Sequence, residues 1–109
     1  MSRTCKVLRV EDVSYGRGGT IKRYVYRLVM PTGSDRADVT RAIRWQILRA
    51  KAKGRFNALG FFVYASEDEL DGPYTIAKAD YAPGGRWEDA AKVRAGDYAS
   101  MELVLTMVG

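Results

Sequence analysis

Histidine is absent from the 109 residues, and cysteine occurs once, at Cys5. The first absence removes the commonest general base, the commonest metal ligand and every Ser–His or Cys–His nucleophile pair. The second excludes an intrachain disulfide and a cysteine-rich zinc site, and it fits a reducing compartment. Long apolar runs are missing too. The longest, Ala58–Ala65, falls far short of the roughly 18 residues of a membrane span, so no membrane partner is expected. The opening MSRTCKV has no apolar h-region, so the reading is a cytoplasmic chain without an export signal. What remains is ordinary in make-up, 47% hydrophobic and 28% charged. A chain of this size can bury one core without metal or disulfide staples, and a single domain over 1–109 is expected.

The acids that are present do not group in a catalytic pattern. Glu67, Asp68, Glu69 and Asp71 offer oxygen ligands, but their spacing is not that of an EF-hand loop. Asp80, Glu88, Asp89 and Asp97 are conceivable members of a two-carboxylate hydrolase. Nothing in their spacing supports it, and Asp89 and Asp97 read as cap and turn residues. The Gly-rich stretches Arg17-Gly18-Gly19 and Gly84-Gly85-Arg86 match neither a P-loop nor a dinucleotide fingerprint. They read better as turns than as phosphate cradles, which leaves a small-ligand or nucleotide-binding domain as a minor alternative. The expectation is a protein that is no enzyme and carries no cofactor or metal.

Charge is concentrated rather than spread. Between Asp35 and Arg55 lie seven bases and two acids, an excess equal to the +5 of the whole chain. The segment Glu67–Asp71 is its acidic counterpart, and the pair predicts a dipolar surface that steers partners or supports head-to-tail association, including a homodimer.

Patterning places the elements. Cys5–Val13 reads as a strand with Leu8 and Val10 on one face and Cys5, Val7 and Val13 on the other. Thr20–Met30 alternates cleanly, with Tyr24, Tyr26, Leu28 and Met30 facing the core. Ser34 or Asp35 caps a helix over Asp35–Lys53, whose stripe is Val39, Ala42, Ile43, Gln46, Ile47 and Ala50, with Gly54 as a natural C′ residue, a place where glycine often turns left-handed. Ala58–Ala65 is apolar on both faces and so belongs in the middle of the sheet. Tyr74–Tyr81 and Tyr98–Val108 are two more strands, and Trp87–Val93 is a short helical phrase. The order predicts an α+β two-layer sandwich: a mainly antiparallel sheet of about five strands with one long helix on one face.

The phrases SYGRGGTIKRYVYRLVMP, FNALGFFVY, YTIAKADYAPGGRWEDA and AGDY together resemble an uncharacterised bacterial and phage family known only as a domain of unknown function. The likeness spans Tyr15 to Tyr98, and YAPGGRWEDA…GDY is its most specific part. The resemblance implies no activity. It does imply a globular unit often carried in exported or lipid-anchored proteins, a pattern from which this opening sequence departs.

Binding is the function class that remains. Trp45 lies just off the helix stripe beside Arg41, Arg44 and Arg49, a composition suited to stacking or to a protein surface. Lys51 and Arg55 extend the basic stretch. Arg86 and Trp87 follow the second Gly-rich turn, where Trp87 either locks the turn onto the sheet edge or anchors an interface. These eight residues are the expected partner-binding set, and a protein is the expected partner. A phage-type inhibitor of host defence, anti-CRISPR-like, is the expectation by class alone. Nucleic acid held by the basic helix is the main alternative, although neither an RNP-type motif nor a helix-turn-helix partner is present.

Overall fold

Among the described residues, five strands of seven residues and one 18-residue α-helix make up the main elements: β1 Lys6–Asp12, β2 Arg23–Val29, α1 Arg36–Lys53, β3 Ala58–Tyr64, β4 Ala77–Pro83 and β5 Met101–Met107. They come from a computed structural model that describes residues 5–69 and 72–108. Leu70 and Asp71 of the acidic segment lie outside the described residues. The strands lie in one sheet in chain order, β1-β2-β3-β4-β5. Three neighbour pairs are antiparallel and β2–β3 is parallel. A parallel neighbour needs a long crossover, and α1 supplies it. The fold is the expected α+β sheet with one long helix.

Helix α1 starts where the sequence demands. The Asp35 carboxylate accepts from the Asp38 N–H at 2.8 Å, and Asp38 returns the bond to the Asp35 N–H at 3.2 Å, a reciprocal capping box. Lys51 and Lys53 occupy the last turn, as the helix dipole favours. The stop differs from expectation. Gly54 has φ 174°, extended backbone open to any residue, and its N–H still reaches the Ala50 carbonyl at 3.2 Å. No left-handed glycine is used there.

One face of the sheet is sealed by α1. Val39, Ile43 and Ile47 share a buried cluster with Leu28 from β2, Leu59, Phe61 and Val63 from β3, and Leu105 from β5. Register explains the choice of strand residues: Leu28, Val63, Ala77 and Met107 pair in one row and Tyr26, Phe61, Ala79 and Leu105 in the next, so two adjacent rows face the helix. Alanines 77 and 79 keep β4 low where other strands contribute large side chains. The first strand departs from simple alternation. Its register slips between Val7 and Arg9, leaving Leu8 as an extra residue. Val7 and Val10 consequently share the helix-side face, opposite Leu28 and Tyr26, instead of facing apart as alternation predicts.

Ile43 is fully buried at the centre of the stripe. Its replacement by Ala is expected to cost about 2–5 kcal/mol, the range for deleting a large core aliphatic; a melting curve coincident with that of the parent would contradict the packing described. Gly85→Ala is a second check. The glycine sits at φ +75°, and a Cβ there would lie 2.4 Å from Val104 Cγ2, so a lowered melting temperature is expected from both strain and overlap.

Candidate functional site

The outer face of α1 is built by the same periodicity that builds the core. Residues half a turn away from Ile43 must face solvent, and Trp45 and Leu48 are both among them. Each is 59% exposed, an unusual state for two large apolar residues one turn apart. Arg41, Arg44 and Arg49 are exposed around them. Arg41 holds only a loose ion pair with Asp38, at 3.9 Å. On the β1 side, Arg41, Trp45 and Arg49 line one shallow cavity of about 350 Å³. Arg49 also borders a larger groove of about 760 Å³ between α1 and β1, floored by Val7, Val10, Tyr24 and Tyr26 and edged by Lys53 and Arg55.

The structure thus gathers Arg41, Arg44, Trp45, Arg49 and Arg55 along α1 and its end. Three members of the expected set separate from them. Lys51 folds back over Tyr98 and Tyr81, with its ammonium 4.7 and 5.3 Å from the ring centres. Its charge is engaged in cation–π contacts within the fold. Trp87 lies on the far face of the sheet, and Arg86 is exposed at the start of the 3-10 turn that carries it. Trp87 does not lock a sheet edge. Its ring covers the central strand at Gly60, where an added Cβ would be 3.2 Å from Cζ3. The acidic counterpart is partly neutralised within the chain, because Glu67 pairs with Lys6 at 2.6 Å; Glu69 accepts from the Thr75 hydroxyl at 2.7 Å.

On that far face no α-helix among the described residues covers the sheet, and side chains from the strands and the returning 3-10 turn close it instead. Arg23 lies between two rings, with its guanidinium 4.3 Å from the Tyr15 centre and 4.7 Å from that of Trp87. Arg27 donates to the Glu11 carboxylate and to the Tyr64 hydroxyl, and it lies 5.2 Å over Phe62. Phe62 in turn stacks on Tyr74 at 5.7 Å. The Arg27 bond holds the Glu11 carboxyl below its usual range, and Glu11 pushes Arg27 further up.

Trp87 is carried on a 3-10 turn, Trp87–Lys92, and Asn57 fastens that turn. The Asn57 side chain is buried. Its amide donates to the carbonyls of Ala90 and Val93 at 3.2 and 2.8 Å, and its oxygen accepts from the Lys22 N–H at 2.8 Å. Ala58, Ala82 and Ala90 form the small apolar seam beneath. Neither Asn57 nor Gly60 stands out in the sequence reading. The one available signal is an Asn opening the most apolar strand, where an unsatisfied amide would be costly.

Between Trp87 and Phe62 lies a cavity of about 450 Å³, bordered by Arg23, Lys78, Asp80 and Glu88. Asp80 makes no hydrogen bond or ion pair through its carboxylate among the described residues. Burial pushes its carboxyl above the usual range, Lys78 pulls it down and Glu88 pushes it up again. Of the other carboxylates considered for hydrolysis, two are occupied: Asp89 pairs with Lys92 at 3.4 Å, and Asp97 accepts from the Ala99 N–H at 3.2 Å; Glu88 is exposed. Both Gly-rich stretches are turns, with Gly16, Gly18, Gly19, Gly84 and Gly85 at positive φ. Burial also pushes the Cys5 thiol up, away from the thiolate form. No family model, no curated protein and no solved structure matches this chain.

Two outcomes test this site. Asn57→Ala orphans three backbone groups, each worth about 1–3 kcal/mol when buried without a partner. It should lower stability and shift Trp87 emission to longer wavelength as the turn loosens; an unchanged spectrum and melt would contradict the tether. Asp80 holds its proton more tightly in the fold than in the unfolded chain, so its contribution to stability declines as pH rises from the ordinary Asp range through the raised value. Asp80→Asn is therefore expected to melt above the parent at neutral pH and level with it in acid. A difference that persists unchanged at low pH would contradict the burial effect.

Proposed function

We propose that this protein is a non-enzymatic binding module whose α1 outer face docks on an acidic patch of a partner protein. The observation that carries the reading is the pair Trp45 and Leu48, both mostly in solvent and set among Arg41, Arg44 and Arg49. Trp and Arg supply most hot spots in protein interfaces, where a buried aromatic anchor is ringed by polar contacts. Phosphate contacts require only the bases. Leu48 at the centre of the patch offers nothing to a phosphate backbone, and its burial against an apolar partner surface is favourable. The arginines select an acidic rim and speed encounter. Internal neutralisation of Glu67 leaves head-to-tail self-association a weaker choice. A stoichiometric inhibitor of the kind expected from the sequence would work through such a surface. No helix among the described residues is long and apolar enough to cross a membrane.

Nucleic acid is the second reading, supported by the groove in which Arg49, Lys53 and Arg55 edge Tyr24 and Tyr26. The two are separated by capture from nuclease-treated source-cell extract and by direct binding of labelled single- and double-stranded DNA and RNA at about 100 mM salt. The protein reading expects a complex that survives nuclease. Trp45→Ala should weaken that complex by more than about tenfold, as loss of a hot-spot aromatic does, and Arg44→Glu should mainly slow its association. Sub-micromolar nucleic-acid binding that is lost with Arg41→Ala and Arg49→Ala would replace it.

A further inference from the structure

The cavity on the helix-free face has no part in the proposed docking surface, and its construction differs from that of a closed core. Gly60, Asp80 and Val25 lie in one row across the sheet, and Phe62, Lys78 and Arg27 in the next, because Val25 pairs with Gly60, Gly60 with Asp80, Arg27 with Phe62, and Phe62 with Lys78. The Trp87 ring stands over Gly60. Phe62 rises from the following same-face position, about 7 Å along the strand at roughly 3.3 Å per residue. Aromatic atoms in contact lie about 3.5–4 Å apart, so two walls at this spacing leave room for one planar ring between them. A glycine at position 60 is what allows the first wall: any side chain there would press on Trp87.

Charge then restricts the occupant. The cavity is bordered by two bases, Arg23 and Lys78, and two acids, Asp80 and Glu88. The sum is neutral, so neither a strong anion nor a strong cation is drawn in. Arg23 is already engaged with Tyr15 and Trp87. Asp80 is left as a half-buried carboxylate without a donor among the described residues, in a position where its charge is penalised by burial. A half-buried carboxylate is open to a donor from outside, and an N–H brought by a ligand would make a charge-assisted bond to it.

From this geometry we infer that the pocket between Trp87 and Phe62 binds a neutral planar heterocycle of nucleobase type, which stacks on the aromatic walls and donates an edge N–H to Asp80. The volume, about 450 Å³, is within the range of small-ligand sites. Stacking gives the site its preference for flat rings, and Asp80 gives it a preference for rings with an N–H edge. Lys78 and Arg23 at the border then face whatever substituent the ring carries.

The experiment is an NMR titration of isotope-labelled protein with adenosine, guanosine, cytidine and uridine, with benzamidine and benzoate as charged planar probes. At least one nucleoside is expected to give saturable shifts at the Trp87 indole N–H and at the amides of Gly60, Phe62 and Asp80. Asp80→Ala should weaken that binding by about tenfold or more, the loss of one charge-assisted hydrogen bond. Phe62→Leu keeps the position apolar and removes the ring; it should weaken binding at least about fivefold, the low end of base–aromatic stacking, and it serves alone if Asp80→Ala does not fold. Trp45→Ala should leave the affinity unchanged, which separates this site from the α1 surface. The inference is overturned if no nucleoside shifts these resonances up to its solubility limit. It is also overturned if a charged probe binds more tightly than every nucleoside, or if Asp80→Ala and Phe62→Leu bind as the parent does.

Discussion

The packing of Val39, Ile43 and Ile47 onto Leu28, Leu59, Phe61 and Val63 is the contact on which the remaining arrangement rests. It fixes α1 across the parallel pair β2–β3, and a single helix of 18 residues can seal only one face of the sheet. Everything on the opposite face has to be closed by other means. The exposed side of α1 is fixed by the same contact, since a helix whose inner stripe is committed has no freedom left in choosing its outer one. Trp45 and Leu48 therefore stay in water at a cost the fold does not recover.

The helix-free face is closed by shape and stacking. Arg23 lies between Tyr15 and Trp87, and Arg27 bridges Glu11, Tyr64 and Phe62. The alanines at 58, 82 and 90 let the 3-10 turn approach closely, and Asn57 supplies the bonds that hold it there. Such a surface is held by directional contacts more than by bulk burial, so it can keep a cavity open between rigid walls. The half-buried carboxylate of Asp80 and the buried, unpartnered Nε of Arg23 belong to this face. A buried polar group left without a partner is the exception that calls for a reason, and Asp80 is open to a donor from a ligand.

Charge is distributed differently from what the bare sequence implies. The basic excess of the segment 35–55 is real, yet its members have different roles. Arg36 donates to the Leu105 carbonyl at 3.0 Å, Lys51 lies over Tyr98, Arg41 holds a loose pair with Asp38, and Arg44, Arg49, Lys53 and Arg55 are exposed. The acidic loop is partly cancelled by Lys6. A dipole drawn from the sequence becomes, in three dimensions, a local basic patch around two apolar residues.

Periodicity determined most of the architecture. The period of 3.6 in α1 and of 2 in β2 named the buried faces, and the unbroken apolar run of β3 named the central strand, because burial of an apolar face acts on every residue of an element in the same way. The exposure of Trp45 followed from the same rule. Periodicity failed where one residue changes the frame, as at Leu8, whose insertion puts Val7 and Val10 on one face. It was silent on contacts between residues far apart in the chain: Asn57 with Val93, Lys51 with Tyr98, Trp87 with Gly60. Each of these pairs depends on which strands are neighbours and in what register, and a hydrogen bond or a ring contact leaves no repeating mark on the sequence. The division of eight basic and aromatic residues between two faces, and the cavity that Trp87 and Phe62 enclose, were decided only when β2, β3 and β4 were brought into register.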